Sequence, residues 1–177
     1  MLKKILVCLD GSEFSEGLLP YAVERARYFN SNIILLKVTR SMVSALATAL
    51  PSTSGQAIPI LAPTQLDDML RKEEAVDKLY LEKLATKLKK MGLEVDCVTC
   101  SIGGDTIANT IVAYSNENEV DLIMMATHGH SFWRRLVFGS VTESVIRKSA
   151  SPVLVIRPET EIEKNNTFNP VPESGPA

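Results

Sequence analysis

The stretch MMATHGHSFWRRLVFGSVTESV, residues 124–145, concentrates the residue types able to do chemistry in this chain. An apolar run passes into His128, Gly129 and His130, then Arg134 and Arg135, and ends at Gly139-Ser140 before a second apolar segment. As metal ligands the two histidines lack a neighbouring carboxylate or third ligand in sequence. As part of a hydrolase, GHSFW falls short of the G-x-S-x-G elbow because Trp133 ends it, and no histidine follows residue 130. A serine hydrolase is excluded. Anion binding fits better. Helix-opening amides at Ser140, Val141 and Thr142 would carry the positive end of a helix dipole, and with the Ser140 hydroxyl they can hold a phosphate. Gly129 permits close backbone approach. The plainer reading makes Ser140 a helix cap, Gly129 a turn glycine and the arginines a basic surface turn. These residues alone leave both open, with His128 supporting the loop or a phosphate and His130 exposed.

Positioning such a loop requires a strand before it and a helix after it, and the chain supplies that pattern throughout. Apolar runs lie at 5–10, 32–39, 93–101, 120–127 and 151–158. Four are nearly continuous in Ile, Leu, Val and Met, as strands covered on both faces of a parallel sheet read; the third alternates, as an edge strand would. Helical spacing separates them. It is expected over 15–30 after Ser15 as N-cap, and over 66–91 with Met69, Val76, Leu79, Tyr80, Leu84, Leu88 and Met91 on one stripe stopped by Gly92. It continues over 105–118 after Asp105, and over 140–149 with Ser140 and Glu143 at capping-box spacing. Strand alternating with helix predicts an α/β domain, residues 1–158, with a doubly wound parallel sheet. Residues 41–64 read as a long loop insertion, and 159–177 as a disordered tail.

Open parallel sheets bind ligands beyond the carboxyl ends of their strands, where strand order reverses. Asp10-Gly11-Ser12, Val38-Thr39 and Ala126-Thr127-His128-Gly129 should meet there. Asp10 has two readings, a ligand contact or a carboxylate that only bonds the amides of its own Asp-Gly-Ser turn.

Composition narrows the classes. The chain has 177 residues and a net charge of −2, with 45% hydrophobic and 23% charged residues. There is no global drive toward nucleic acid or an anionic membrane. No apolar stretch approaches the roughly 20 residues of a membrane span, so a cytoplasmic location is expected. The three cysteines, Cys8, Cys97 and Cys100, are too few for a disulfide framework. Cys97 and Cys100 stand three apart on an expected strand, hence on opposite faces, and read as core residues and not a redox pair.

ILVCLDGSEFS and ATHGHSFWRRLVFGSVTESVIRKSASPVLVIRP, with their spacing, resemble the universal stress protein family over residues 1–40 and 93–158. The nucleotide-binding branch carries G-x2-G-x9-G-(S/T); here the sequence is Ala126-x2-Gly129-x9-Gly139-Ser140, the first glycine being replaced by alanine. The resemblance implies an adenine nucleotide alpha-hydrolase-like fold, five parallel strands in the order 3-2-1-4-5 with helices on both faces. It implies ATP as ligand, with Mg2+ or Mn2+ bridging its phosphate oxygens. Asp10 would lie beside the adenosine, the main chain of Val38 at the adenine edge, and Ala126, His128, Gly129, Gly139, Ser140, Val141 and Thr142 around ribose and phosphates. In the implied order the strand containing residues 153–156 is an edge, and homodimerisation through it is expected. With no evident base to activate water and no P-loop lysine, hydrolysis would be slow at most and the role regulatory, in stress response. The alternatives are a nucleotide-independent dimeric interaction module and an AMP-transferring or AMP-hydrolysing enzyme. The last would want an S-G-G-x-D loop where this chain has LDGSEFS.

Overall fold

The computed structural model describes residues 2–40, 63–102, 105–127 and 139–158. In chain order the elements are β1 (Lys4–Leu9), α1 (Glu13–Glu16), α2 (Leu19–Phe29), β2 (Asn32–Arg40), α3 (Pro63–Lys89), β3 (Val95–Ile102), α4 (Ile107–Glu117), β4 (Leu122–Ala126), α5 (Ser140–Lys148) and β5 (Val153–Ile156). The five strands form one sheet in the order β3-β2-β1-β4-β5, and every pairing is parallel.

Both faces of the sheet are covered. Ile5, Val7 and Leu9 of β1 pack with Ile33 and Leu35 against Leu18, Ala22 and Ala26 of the α2 segment and Leu81, Leu84 and Leu88 of α3. Leu6, Ile34, Leu36, Ile123 and Met125 face Ala108 and Ile111 of α4 and Val145 of α5. Ile5, Leu6 and Val7 are consecutive and all fully buried, which explains the unbroken apolar run. Each such side chain contributes about 1.5–3 kcal/mol on burial. Cys97 packs with the first cluster and Cys100 with the second, on opposite faces as their spacing requires.

Several local expectations are corrected. The helix expected over 15–30 is two helices. Pro20 has no amide to offer the Glu16 carbonyl, so the helix breaks at Gly17. The cap is Ser12, whose hydroxyl accepts from the Ser15 amide at 3.1 Å; Ser15 itself is buried inside the first turn. α3 starts at Pro63, so helix replaces the last two residues of the loop expected over 41–64; the rest of that loop and the tail lie outside the described residues. Its buried stripe is Asp77, Leu81, Leu84, Ala85 and Leu88, whereas Met69, Val76, Leu79 and Met91 are exposed. The helix ends at Lys89, three residues short of Gly92, which sits in the following turn with a left-handed φ of 81°. Thr106, and not Asp105, caps α4. Gly139 is the N-cap of α5, and Ser140 is its first helical residue. Glu143 bonds Arg147 at 2.7 Å, so Ser140 and Glu143 form no capping box.

β1 and β4 are the neighbours at which strand order reverses. Their ladder runs from Ile5↔Leu122 to Val7↔Met124. Beyond it β1 continues to Leu9 alongside β2, while β4 continues to Ala126 alongside β5. The two strands part at their carboxyl ends and open a crevice.

Candidate functional site

A cavity of about 260 Å³ occupies that crevice. Its floor is apolar, formed by Leu36, Val38, Ile107, Ile111 and Met125, together with the Cys8 thiol. Burial pushes the Cys8 pKa up to about 12, so the thiol is neutral at physiological pH. The rim is polar and comes from three separated parts of the chain: Asp10 and Ser15 after β1, Ala126 and Thr127 after β4, and Gly139 to Thr142 at the start of α5. Of the residues singled out in the sequence, Asp10, Val38, Ala126, Gly139, Ser140, Val141 and Thr142 therefore line one cavity. His128 and Gly129 lie outside the described residues, as do His130, Arg134 and Arg135.

The Asp10 turn is self-supporting. Oδ1 of Asp10 accepts from the Ser12 amide at 2.9 Å and from the Ser12 hydroxyl at 2.6 Å. Gly11 takes φ +92°, a conformation that an L side chain rarely adopts, so glycine is required there. The turn-holding reading of Asp10 is thus realised, at the cavity rim.

The opposite rim is a helix N-terminus. The first intrahelical bond of α5 runs from the Glu143 amide to the Gly139 carbonyl at 2.9 Å. The amides of Ser140, Val141 and Thr142 precede it, without an intrahelical acceptor, along the cavity. Gly139 has φ −59°, and among the described residues nothing lies within 4 Å of where its Cβ would be. Among the described residues nothing in the fold demands glycine here. The Thr142 hydroxyl donates to the Ala126 carbonyl at 3.4 Å and ties the first turn of α5 to the end of β4.

Ala126, the departure from the glycine motif, is not strained, since it is absent from the residues with positive φ. Strand alternation turns its methyl toward the cluster containing Leu9 and Met124, away from the face of Met125. The methyl fills core space while the backbone reaches the cavity.

Three features escaped sequence reasoning. The apolar floor contributed by α4, Ile107 and Ile111, read only as a helix core face. Thr127, named in the sequence only as part of the segment ending the fourth strand, lines the cavity, and its hydroxyl oxygen is buried with no hydrogen-bond partner among the described residues. The third is a polar cluster on the other face of β2, beneath the Asp10–Gly11 turn. Lys37 Nζ lies 2.6 Å from Oδ1 of Asp77 and 5.1 Å from the Tyr80 ring centroid, and the Thr39 hydroxyl donates to Oδ2 of Asp77. A Cβ on Gly11 would come within 3.1 Å of that Nζ. Burial, and then the neighbouring Glu16 carboxylate, raise the Tyr80 phenol well above its ordinary range. The signal was present: a lysine inside the apolar run NIILLKVT needs a buried partner.

Five parallel strands in the order β3-β2-β1-β4-β5, covered by helices on both faces and opening a crevice at the switch point, define a doubly wound α/β protein. More narrowly, the model of the universal stress protein family matches residues 1–157, and the chain belongs to that family. A universal stress protein of Methanocaldococcus jannaschii is 31% identical over 159 residues, covering 89% of this chain and 83% of that protein. Among solved structures, the universal stress protein UspA from Lactobacillus plantarum superposes with a TM-score of 0.64 at 25% identity, over 88% of this chain and 98% of that one. A family member from Arabidopsis thaliana with AMP bound gives 0.61 at 15% identity, over 90% and 94%. A universal stress protein in complex with cAMP gives 0.54 at 17%, over 89% and 98%. At those two identities the likeness concerns the fold.

Proposed function

We propose that this universal stress protein binds ATP in the crevice between β1 and β4 and acts as a nucleotide-dependent regulatory protein. The observation that carries the reading is convergence. Asp10, Val38, Ala126 and Gly139 to Thr142, chosen from sequence, line one cavity with an apolar floor and a helix N-terminus at its rim. Among the described residues the Thr127 hydroxyl has no partner and nothing lies within 4 Å of a Cβ on Gly139, which suits a polar ligand in the same place. Structural neighbours with AMP and cAMP bound support an adenine nucleotide.

In this reading the base lies on Leu36, Ile107, Ile111 and Met125 with its edge against the main chain of Val38, and Asp10 borders the ribose. The α5 amides and Ser140, together with His128 and Gly129, hold phosphates, and Mg2+ or Mn2+ accompanies the phosphate oxygens. Asp10 is engaged by its own turn, so it makes a poor base for activating water; hydrolysis is slow. Two copies associate through β5. Binding and association together give the protein two states that differ in what its surface presents.

The reading is tested by thermal unfolding in Mg-ATP. A ligand that binds only the native state at 100 times its Kd adds about 2.7 kcal/mol, a shift of several degrees. An unchanged Tm at millimolar ATP, with no calorimetric heat, favours the nucleotide-independent interaction module instead.

A further inference from the structure

Resting on the nucleotide reading above, we propose that Lys37 is a positioning residue for this site. Paired with Asp77, it props the Asp10 turn at the cavity rim from beneath Gly11, and so ties nucleotide affinity to the seating of α3. Val38 lines the cavity and Lys37 alternates with it onto the opposite face of β2, so Lys37 acts through the turn and not by contact with the ligand.

The chain changes faces at this point. β1 ends at Leu9, opposite Lys37 in the ladder, and Asp10 follows at the rim of the cavity. Gly11 then passes over the other face, where a Cβ would lie 3.1 Å from Lys37 Nζ and 3.6 Å from its Cε. The ammonium is held from below. Its Nζ is 2.6 Å from Oδ1 of Asp77 and 5.1 Å from the centroid of the Tyr80 ring, while the Thr39 hydroxyl donates to Oδ2 of the same aspartate. Thr39 orients the carboxylate, and carboxylate and ring together orient the ammonium.

Packing alone does not account for the pair. Ile33 and Leu35, on the same face of β2, are apolar and fully buried. Apolar residues at 37 and 77 would fill the same space, and such replacements of buried ion pairs are often neutral or stabilising. They cannot supply a compact, fixed head group under a glycine whose φ is +92°. The bonds from the Ser12 amide and hydroxyl to Asp10 Oδ1, and from the Ser15 amide to the Ser12 hydroxyl, are internal to residues 10–15. They set the shape of the turn. Lys37 adds a support that belongs to β2 and is anchored on α3, so the height of the turn over the sheet follows those two elements.

The double variant Lys37→Met with Asp77→Leu separates positioning from packing, because it removes the prop without stranding a charge. It is expected to melt near the wild type yet to bind AMP about tenfold more weakly in calorimetry, equivalent to about 1.4 kcal/mol. Adenosine should lose the same factor, since Asp10 borders the ribose in the proposed pose. In the ligand-free protein, hydrogen exchange at the amides of Ser12, Ser15 and Glu16 should quicken, while the Ala22 amide inside α2 exchanges as before. Leu84→Ala, a core truncation about two turns further along α3, should lower the Tm but leave AMP affinity and those turn amides unchanged. Lys37→Gln, neutral and one atom shorter, gives the same comparison if the double variant does not fold. Wild-type AMP affinity in the double variant would overturn the inference and leave the nucleotide reading intact. A loss for AMP that adenosine does not share would replace positioning by a long-range effect of charge on phosphate. A matching loss in Leu84→Ala would assign the effect to α3 packing in general. No binding by the wild type would defeat the nucleotide reading, and unaltered exchange in the turn would overturn the prop independently of it.

Discussion

At the residue scale, Ala126 decides how much the lost glycine matters. Its φ is not positive and its methyl packs with Leu9 and Met124, so glycine would gain the ligand little and cost the strand packing and entropy. Ala126→Gly is expected to destabilise the protein by about 0.5–1 kcal/mol in urea unfolding and to change ATP affinity less than about threefold. A tenfold gain in affinity would mean that the methyl obstructs the ligand. The alanine was legible as a departure from the motif. The direction of its side chain was not, because that depends on which face of β4 meets α2 and α3. Thr127 was legible only as part of the segment ending the fourth strand; that its hydroxyl finds no partner among the described residues was not.

Between elements, α3 is held to the sheet by more than its apolar stripe. Asp77 occupies a core position on α3 and is matched by Lys37 from β2, their side chains 11% and 17% exposed. Removing one member strands the other in a poorly hydrated place. Lys37→Met should therefore cost about 3–5 kcal/mol in denaturant unfolding, and the double variant Lys37→Met with Asp77→Leu should recover most of it. A loss below about 1 kcal/mol would show that water reaches the pair and screens it. This pairing also explains why the sequence misassigned the α3 stripe. A periodicity built from apolar residues alone skips Asp77 and admits Val76 and Leu79, which are exposed. Helix starts failed similarly. Ser15 and Ser140 had suitable side chains, but Pro20 and the position of Gly139 set where the helices begin. Strand positions were legible because both-faces burial leaves an unbroken apolar run.

For the molecule as a whole, the order β3-β2-β1-β4-β5 leaves β3 and β5 at the edges. β3 was recognisable by its alternation. At the other edge, Val153, Leu154, Val155 and Ile156 are all only half-buried. Leu154 and Ile156 pack onto one core cluster and Val153 onto the other, while Val155 belongs to neither. Pro158 does not cover this edge; it is buried against Gly17, where a Cβ would come within 2.5 Å of it. An apolar edge of this kind is a template for pairing with another chain, and the proposed dimer would use it. Val155→Lys is expected to convert a dimer into a monomer in light scattering at tens of micromolar with its Tm little changed. A wild-type monomer at that concentration would contradict pairing through β5.

The proposed function places a nucleotide in the crevice between the ends of β1 and β4, against the start of α5. Gly139 offers the sharpest probe, since its φ suits any residue and no described atom lies within 4 Å of an added Cβ. A valine there should fold normally yet project into the space that the proposed phosphates would occupy. Calorimetric titration of Mg-ATP into the wild type and Gly139→Val is the direct measurement. The expected result is saturable binding by the wild type, and at least a hundredfold weaker binding by a variant with unaltered circular dichroism, about 2.7 kcal/mol. Equal binding by both proteins would place the nucleotide elsewhere, and no heat from either would remove it from the account.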